Sequence, residues 1–156
     1  MSVQLKIVDL NTSIVPILGK TSKFIGICIM DHFQTNGIDL SKEQWLVLKY
    51  LHEKNGQAQN DLAFITDRSK TSLTRLITTM EKKGLVCRTN CRKDNRVNHI
   101  YYTDKGEAMF QKSLPLFTQV IEELINGVSS EEIEQTISVL KKIKENAQNK
   151  INEINL

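Results

Sequence analysis

The stretch of sequence that decides the fold is residues 69–88, which read SKTSLTRLITTMEKKGLVCR. Ser69 is a residue type that caps helix N-termini, and Gly84 is one that ends helices. Between them, apolar residues recur in steps of three and four, which predicts a helix with one face in a protein core. These residues are Leu73, Leu76, Ile77 and Met80. The apolar residues that follow Gly84 predict a strand over 85–88, directly after the helix.

The opposite side of this predicted helix has an unusual composition. At about 100° per residue it carries only hydroxyls and cations: Thr71, Ser72, Thr74, Arg75, Thr78 and Lys82. Small hydroxyls permit a close approach to the major groove of DNA, and an arginine can bind guanine at two atoms. A merely solvated helix face usually alternates Glu with Lys, whereas the first acid here is Glu81. The pattern therefore favours a DNA-reading face.

Helix signals also precede this stretch. A first helix begins near Ile14 and ends at Asn36-Gly37, and the spacing from Ser41 to Gln44 is that of a capping box that opens a second. A short third helix is predicted over 59–66. Three helices followed by a basic hairpin predict a winged helix-turn-helix, a reader of double-stranded DNA. The expected fold class is mainly α with a small β-hairpin wing.

The hairpin is predicted from strands over 85–88 and 97–103, joined by a long polar loop over 89–96. Three cations lie near its tip, Arg92, Lys93 and Arg96, and they suit phosphates or a minor groove. Asp94 either pairs with a neighbouring arginine or simply forms the turn.

Two further helices follow the hairpin, and their pattern predicts a homodimer. Thr103 can cap a fifth helix, which contains Pro115 and runs toward Val128; a capping box from Ser129 to Glu132 opens a sixth. Apolar residues alternate in steps of four and three along both, and the first helix is apolar on two faces. We therefore expect a helical dimerisation region of residues 1–36 and 104–156 and a DNA-binding lobe of residues 37–103, in one compact chain with no separate linker.

Charge and composition agree with this interpretation. The 156 residues carry a net charge of +3 and are 40% hydrophobic, which is typical of a folded chain. Residues 68–105 carry ten basic and three acidic side chains, whereas the segments on either side are slightly acidic. The longest apolar run, 24–30, is too short to cross a bilayer, so we expect no membrane partner and a cytoplasmic protein. No catalytic motif is found, so we expect neither an enzyme nor a cofactor.

Several motifs in the same order match a known family. They are Leu62-Ala63, the run 70–77, the run 80–86, Asp94-Asn95-Arg96 and the run 102–106, with Gln44 to Leu48 upstream. Over about residues 10 to 150 the chain resembles the MarR family of bacterial transcriptional regulators. The resemblance implies a homodimer held by the first, fifth and sixth helices, a palindromic operator, usually repression, and often release by a small ligand or an oxidant.

By that resemblance residues 69–75 enter the major groove and Arg96 serves the wing. The residues expected to contact DNA are Ser69, Lys70, Thr71, Ser72, Thr74, Arg75, Arg92, Lys93, Asn95 and Arg96. A small apolar or aromatic effector is expected where the first, fifth and sixth helices meet the DNA-binding lobe, with its lining drawn from the first and second helices. Its binding residues are not assigned, although Phe33 and Trp45 supply an aromatic lining and Tyr50 or His52 a polar group.

Two alternatives remain open. A redox- or metal-responsive regulator of the same fold would use Cys87 and Cys91, since nearby arginines favour a reactive thiolate. A winged-helix module that binds proteins instead of DNA is the other. Cys28 lies on the apolar stripe of the first helix and is expected in the core. The three histidines are scattered along the sequence, so no metal site is predicted.

Overall fold

Six helices and three short strands make up the described part of this computed structural model, which covers residues 13–66, 68–91 and 94–154, without the side chains of 90, 91 and 94–97. The helices are α1 (Ile14–Thr35), α2 (Lys42–Glu53), α3 (Gln59–Ile65), α4 (Lys70–Lys82), α5 (Asp104–Leu124) and α6 (Ser130–Ile154). The strands are β1 (Gln57–Ala58), β2 (Val86–Cys91) and β3 (Asp94–Tyr102). The mainly helical class with a small wing is confirmed.

The predicted helix caps are present. The Ser41 hydroxyl accepts from the Gln44 amide, and the Gln44 side chain accepts from the Ser41 amide, which completes the capping box. The Ser69 hydroxyl caps α4 by accepting from the amide of Ser72 at 3.1 Å. Thr103 caps α5 through the amide of Gly106. Each cap satisfies an amide that the first turn of a helix leaves unpaired.

The wing differs from its prediction. β2 and β3 pair antiparallel from Val86 opposite Tyr102 to Asn90 opposite Asn98, and after a register shift Cys91 lies opposite Asp94. The predicted long loop over 89–96 is therefore wrong, because most of it belongs to the strands. Backbone hydrogen bonds between the two strands hold this ribbon together, so its residues do not have to follow an apolar pattern. The two-residue strand β1, which pairs with the other edge of β3, was not predicted.

The core confirms the predicted inner face of α4. Leu73, Ile77 and Met80 are fully buried, and Leu76 is half-buried. They pack in one cluster with residues of α2, α3 and the sheet, among them Leu48, Leu51, Leu62, Leu85 and Ile100. Gly106 lies so close to Leu85 that a Cβ there would collide with the carbonyl oxygen of Leu85. The start of α5 therefore rests directly on the start of β2.

The chain divides after Ile121 into two compact units. In the second unit α6 has no buried residue, and Ser129 and Glu132 form its predicted capping box. The preceding helix ends at Leu124, short of Val128, because Gly127 adopts a positive φ of 83° that stops it. Pro115 lies inside α5. No helix in the described ranges combines the length and apolarity needed to cross a membrane.

The placement of Cys28 was predicted incorrectly. It is exposed on α1 and not part of the core. The buried positions of α1 are Ile29 and Phe33, so the side of the helix that carries Cys28 is left in solvent. Much of the remaining apolar surface of α1 is exposed as well, at Ile14, Val15, Ile17, Leu18, Phe24 and Ile27.

Candidate nucleic-acid interface

The face of α4 that points away from the core presents polar side chains to solvent, and three of them lie toward the start of the helix. Lys70, Thr71 and Arg75 are exposed, and no side-chain hydrogen bond or ion pair engages them within the described ranges. The first turn of α4 has no acidic residue, although an acid is common there because it complements the helix dipole. This end of the helix therefore combines the positive end of the dipole with the charge of Lys70.

Other predicted contact residues use their hydroxyls within the protein. Ser69 caps the helix, and Ser72 accepts a hydrogen bond from Arg68 at 3.0 Å. The Thr74 hydroxyl accepts a hydrogen bond from the side-chain Nε2 of Gln59 at 2.8 Å and donates one to the carbonyl oxygen of Lys70. These hydroxyls shape the surface of α4, and the polar ends of Lys70, Thr71 and Arg75 stay available to a partner.

The anchoring residues Gln59, Arg68 and Arg88 were absent from the predicted site. Gln59 opens α3 and reaches α4 from the first half of the helix-turn-helix. Arg88 reaches α4 from β2, where its Nη2 donates to the Thr78 hydroxyl at 2.8 Å. For Arg88, the sequence indicated only a cation in a strand that follows the helix, and this does not show in which direction the side chain points.

The N-terminus of α4 is also tied to α2. Arg68 lies 3.6 Å from the Glu43 carboxylate and at the same time donates to Ser72. The pKa of Glu43 lies below its usual value, chiefly because its carboxylate accepts from its own backbone amide at the start of α2. The hydroxyl of Ser41 and the charge of Arg68 lower this pKa further.

The tip of the wing lies largely outside the description. Arg92 and Lys93 are not described, and Asn95 and Arg96 are described only as backbone in β3. Cys87 is exposed on β2 opposite Tyr101, and the Cys91 side chain is outside the described residues. The search of the described residues finds no group of three side chains that could hold a metal ion.

A small apolar cavity of about 90 Å³ lies between α1, α2 and α5. Its lining is Gly26, Ile29, Met30, Lys42, Trp45, Leu46 and Phe117. Lys42 is the only residue with a charged side chain in this lining, and its side chain lies next to Gly26. Trp45 therefore has a place in the lining, as expected for an effector site, whereas Phe33, Tyr50 and His52 do not.

Comparisons with known proteins agree with this geometry. Residues 40–97 match the model of the MarR family. AbsC, a MarR family transcriptional regulator from Streptomyces coelicolor, is 26% identical, with a TM-score of 0.78 over 86% of this chain and 91% of that chain. MepR of S. aureus, solved as a DNA complex, is 24% identical, with a TM-score of 0.79 over 86% of this chain and 98% of that chain.

A mutant of E. coli MarR, solved with operator DNA, is 20% identical, with a TM-score of 0.78 over 86% of this chain and 98% of that chain. The fold of this chain is thus that of winged-helix MarR structures. Residues 40–97 thus match the MarR family model, within a winged-helix fold that this chain shares with solved MarR family transcriptional regulators such as AbsC.

Proposed function

We propose that the chain regulates transcription by binding double-stranded DNA sequence-specifically, with α4 in the major groove and the β2–β3 hairpin beside it on the backbone or minor groove. The observation that carries this proposal is the outer face of α4, where Lys70, Thr71 and Arg75 point to solvent without an acid among them. Hydrogen bonds from Gln59 and Arg88 hold this helix in place, so the face is presented rigidly.

The start of α4 supports a phosphate contact. Backbone amides at a helix N-terminus attract anions, the first turn of α4 has no acidic side chain, and the Glu43 carboxylate near this end is paired with Arg68. Lys70 adds a cation at the first helical position. Phosphate contacts there would fix the register of α4, while Arg75, one turn further along, would reach the base edges.

The wing residues complete the proposed contact set. Arg92, Lys93, Asn95 and Arg96 lie at the tip of the hairpin in sequence, and their cations suit DNA phosphates. Two structurally similar proteins, MepR and a MarR mutant, were solved with DNA, which supports using this fold for the same purpose here.

We propose further that the chain acts in the cytoplasm as a homodimeric repressor on a palindromic operator. The exposed apolar residues of α1 and α6 support a dimer, because such surface is costly to leave in water. Dimerisation through residues 1–36 and 104–156 would place two lobes of residues 37–103 on half-sites about one helical turn, roughly 34–36 Å, apart.

A small effector would release the DNA by changing that spacing. The cavity lined by Trp45 and Phe117 is apolar and has a volume of about 90 Å³, and the side chain of Lys42 forms part of its lining. A small apolar or aromatic ligand suits this lining and would have to enlarge the cavity to enter it, and the ammonium group of Lys42 would then favour an anion. A coupling of about 1–3 kcal/mol is enough to change operator occupancy several-fold. The alternative sensor that uses Cys87 and Cys91 stays a prediction; the Cys87 thiol is exposed.

Selection from a random library of duplex DNA tests the proposal. The full chain should enrich a palindromic sequence, and its affinity for that duplex should fall steeply with salt. Arg75→Ala should weaken binding by about 1–3 kcal/mol and relax the preference at one symmetric position. Lys112→Ala, which removes an exposed cation of α5, is the matched control and should change little. A wild-type chain that enriches no duplex would favour a protein-binding module instead.

A further inference from the structure

We infer that Arg88 is a positioning residue that locks α4 against the wing and does not itself bind a DNA phosphate. This inference rests on the proposed function, because it concerns how α4 is held for DNA. A cation on the wing of a DNA-binding lobe would otherwise be assigned to the phosphate backbone. The contacts of Arg88 point to a different role.

The guanidinium of Arg88 binds three successive turns of α4. Its Nη2 lies 3.3 Å from the carbonyl oxygen of Thr74, 2.8 Å from the Thr78 hydroxyl and 3.2 Å from the Glu81 carboxylate. Thr78 in turn donates to the carbonyl oxygen of Thr74 at 2.9 Å. Arg88 therefore fixes both the rotation and the height of α4 relative to β2.

The orientation of the side chain leaves little of it for a phosphate. The Nε atom is buried without a hydrogen-bond partner among the described residues, and Nη2 is bound to α4, so the edge formed by these two nitrogens faces the protein. Bidentate binding of an anion needs two N–H groups on one open edge of the guanidinium. The Arg88 side chain is only 24% exposed, in contrast to the open Arg75.

The charge of Arg88 is also matched inside the protein. Glu81 is the sole acid in the sequence of α4, and its carboxylate pairs with Arg88. The pair keeps this negative charge from acting alone on a nearby DNA backbone. At its other end, Arg88 is anchored in the sheet, where it lies opposite the fully buried Ile100 in β3.

A double-mutant cycle on DNA affinity tests this role. Arg88→Met removes the guanidinium and keeps the apolar stem, and Thr78→Val removes the accepting hydroxyl without changing the charge. We expect each change to weaken binding of the selected duplex on the order of tenfold, since charge-assisted hydrogen bonds are among the strongest. The double variant should bind the duplex no more than about twofold more weakly than Arg88→Met alone. The reason is that the Arg88–Thr78 hydrogen bond, which Thr78→Val removes, is already lost in Arg88→Met.

Two further readouts separate positioning from phosphate binding. If Arg88 has a positioning role, the slope of log affinity against log salt is the same for Arg88→Met and the wild type. The ratio of the affinities for the selected and the scrambled duplex becomes smaller in the variant, because a misplaced α4 loses its base contacts. A phosphate contact lowers the slope by about one and weakens both duplexes alike. Additive losses in the cycle, or a slope lowered by about one in Arg88→Met, would overturn the inference.

Folding is checked by circular dichroism and thermal unfolding of each variant. If Arg88→Met does not fold, Thr78→Val alone decides, and unchanged DNA affinity of this variant overturns the inference. A wild-type chain that binds no duplex overturns the proposed function and the inference with it. Additivity in a chain that does bind overturns only the inference.

Discussion

The indole N–H of Trp45 in α2 donates a hydrogen bond of 2.9 Å to the hydroxyl of Ser113 in α5, across 68 residues of sequence. Ser113 is completely buried and donates in turn to the carbonyl oxygen of Phe110 at 2.7 Å. The Trp45 ring also stacks on Phe117, with 4.4 Å between ring centroids. A chain of hydrogen bonds and an aromatic stack thus join α2 to α5.

Removing the Ser113 hydroxyl should destabilise the fold. Ser113→Ala leaves the indole N–H without a partner in the core, which costs about 1–3 kcal/mol in the free energy of unfolding. Urea denaturation measures the difference. Thr118→Ala is the matched control, since Thr118 also lies on α5 and donates to a carbonyl oxygen one turn back, but is exposed. Equal stability of the two variants would contradict a structural role for the Trp45–Ser113 bond.

The exposed seam of α6 should hold the dimer. Ile137 is 47% exposed and follows the four-three spacing, whereas Val139 is 48% exposed and lies off that spacing. Ile137→Glu should place a charge in the interface and yield a folded monomer in sedimentation at micromolar concentration, with operator binding lost. Val139→Glu should remain dimeric. Dissociation by both changes, or by neither, would show that the seam is not the interface.

The charge of Lys42 should select an anionic effector. Benzoate is a suitable probe because it is small and aromatic, as the apolar cavity of about 90 Å³ requires, and because Lys42 forms part of the cavity lining. Binding should change the fluorescence of Trp45 and weaken the operator complex. Lys42→Met should weaken binding of the acids but not of the matching uncharged amides. If no acid released DNA while peroxide did, the sensor using Cys87 and Cys91 would replace this account.

The free energy of unfolding should decrease at acid pH as the carboxylate of Glu43 becomes protonated. Its pKa in the folded chain is lowered from 4.5, so the ionised carboxylate stabilises the fold at neutral pH. This contribution is complete well above the unfolded pKa of 4.5 and is lost as pH falls through the lower pKa of the folded chain. Because Glu43 is largely solvated, the loss should stay below about 1 kcal/mol.

Glu43→Gln provides the comparison. Denaturant titrations of wild type and variant should differ at pH 7 and converge once the pH has fallen below the lowered pKa of Glu43. A difference that stayed constant over this range would mean that the Glu43 carboxylate contributes through its shape and not through its charge.

Features set by neighbouring residues were predictable from the sequence. The caps at Ser41, Ser69 and Thr103 use hydrogen bonds that reach three residues along the chain, so residue type and spacing revealed them. The buried face of α4 followed from the helical period alone. These features position the candidate interface, which is why its outer face was also predicted.

Features set by distant residues were not predictable. From the sequence, the hydroxyl of Thr74 was predicted to contact DNA. In the structure it accepts a hydrogen bond from Gln59, which lies fifteen residues away and could not be paired with it from the sequence. The side chain of Arg88 could point to solvent or to α4, and only the fold decides. The strand β1 has two residues and no pattern of its own, because pairing with β3 defines it. The exposure of Cys28 likewise depends on which side of α1 meets the core.

The central claim is that Arg75 reads a base in the major groove, and interference by methylated guanine tests it most directly. Methylation of guanine at N7 blocks the major-groove edge that an arginine binds. We predict interference at one symmetric guanine of each half-site with the wild-type chain and none there with Arg75→Ala, while other positions keep their pattern. Interference that is identical in both proteins, or confined to minor-groove methylation of adenine, would contradict the placement of α4 in the groove.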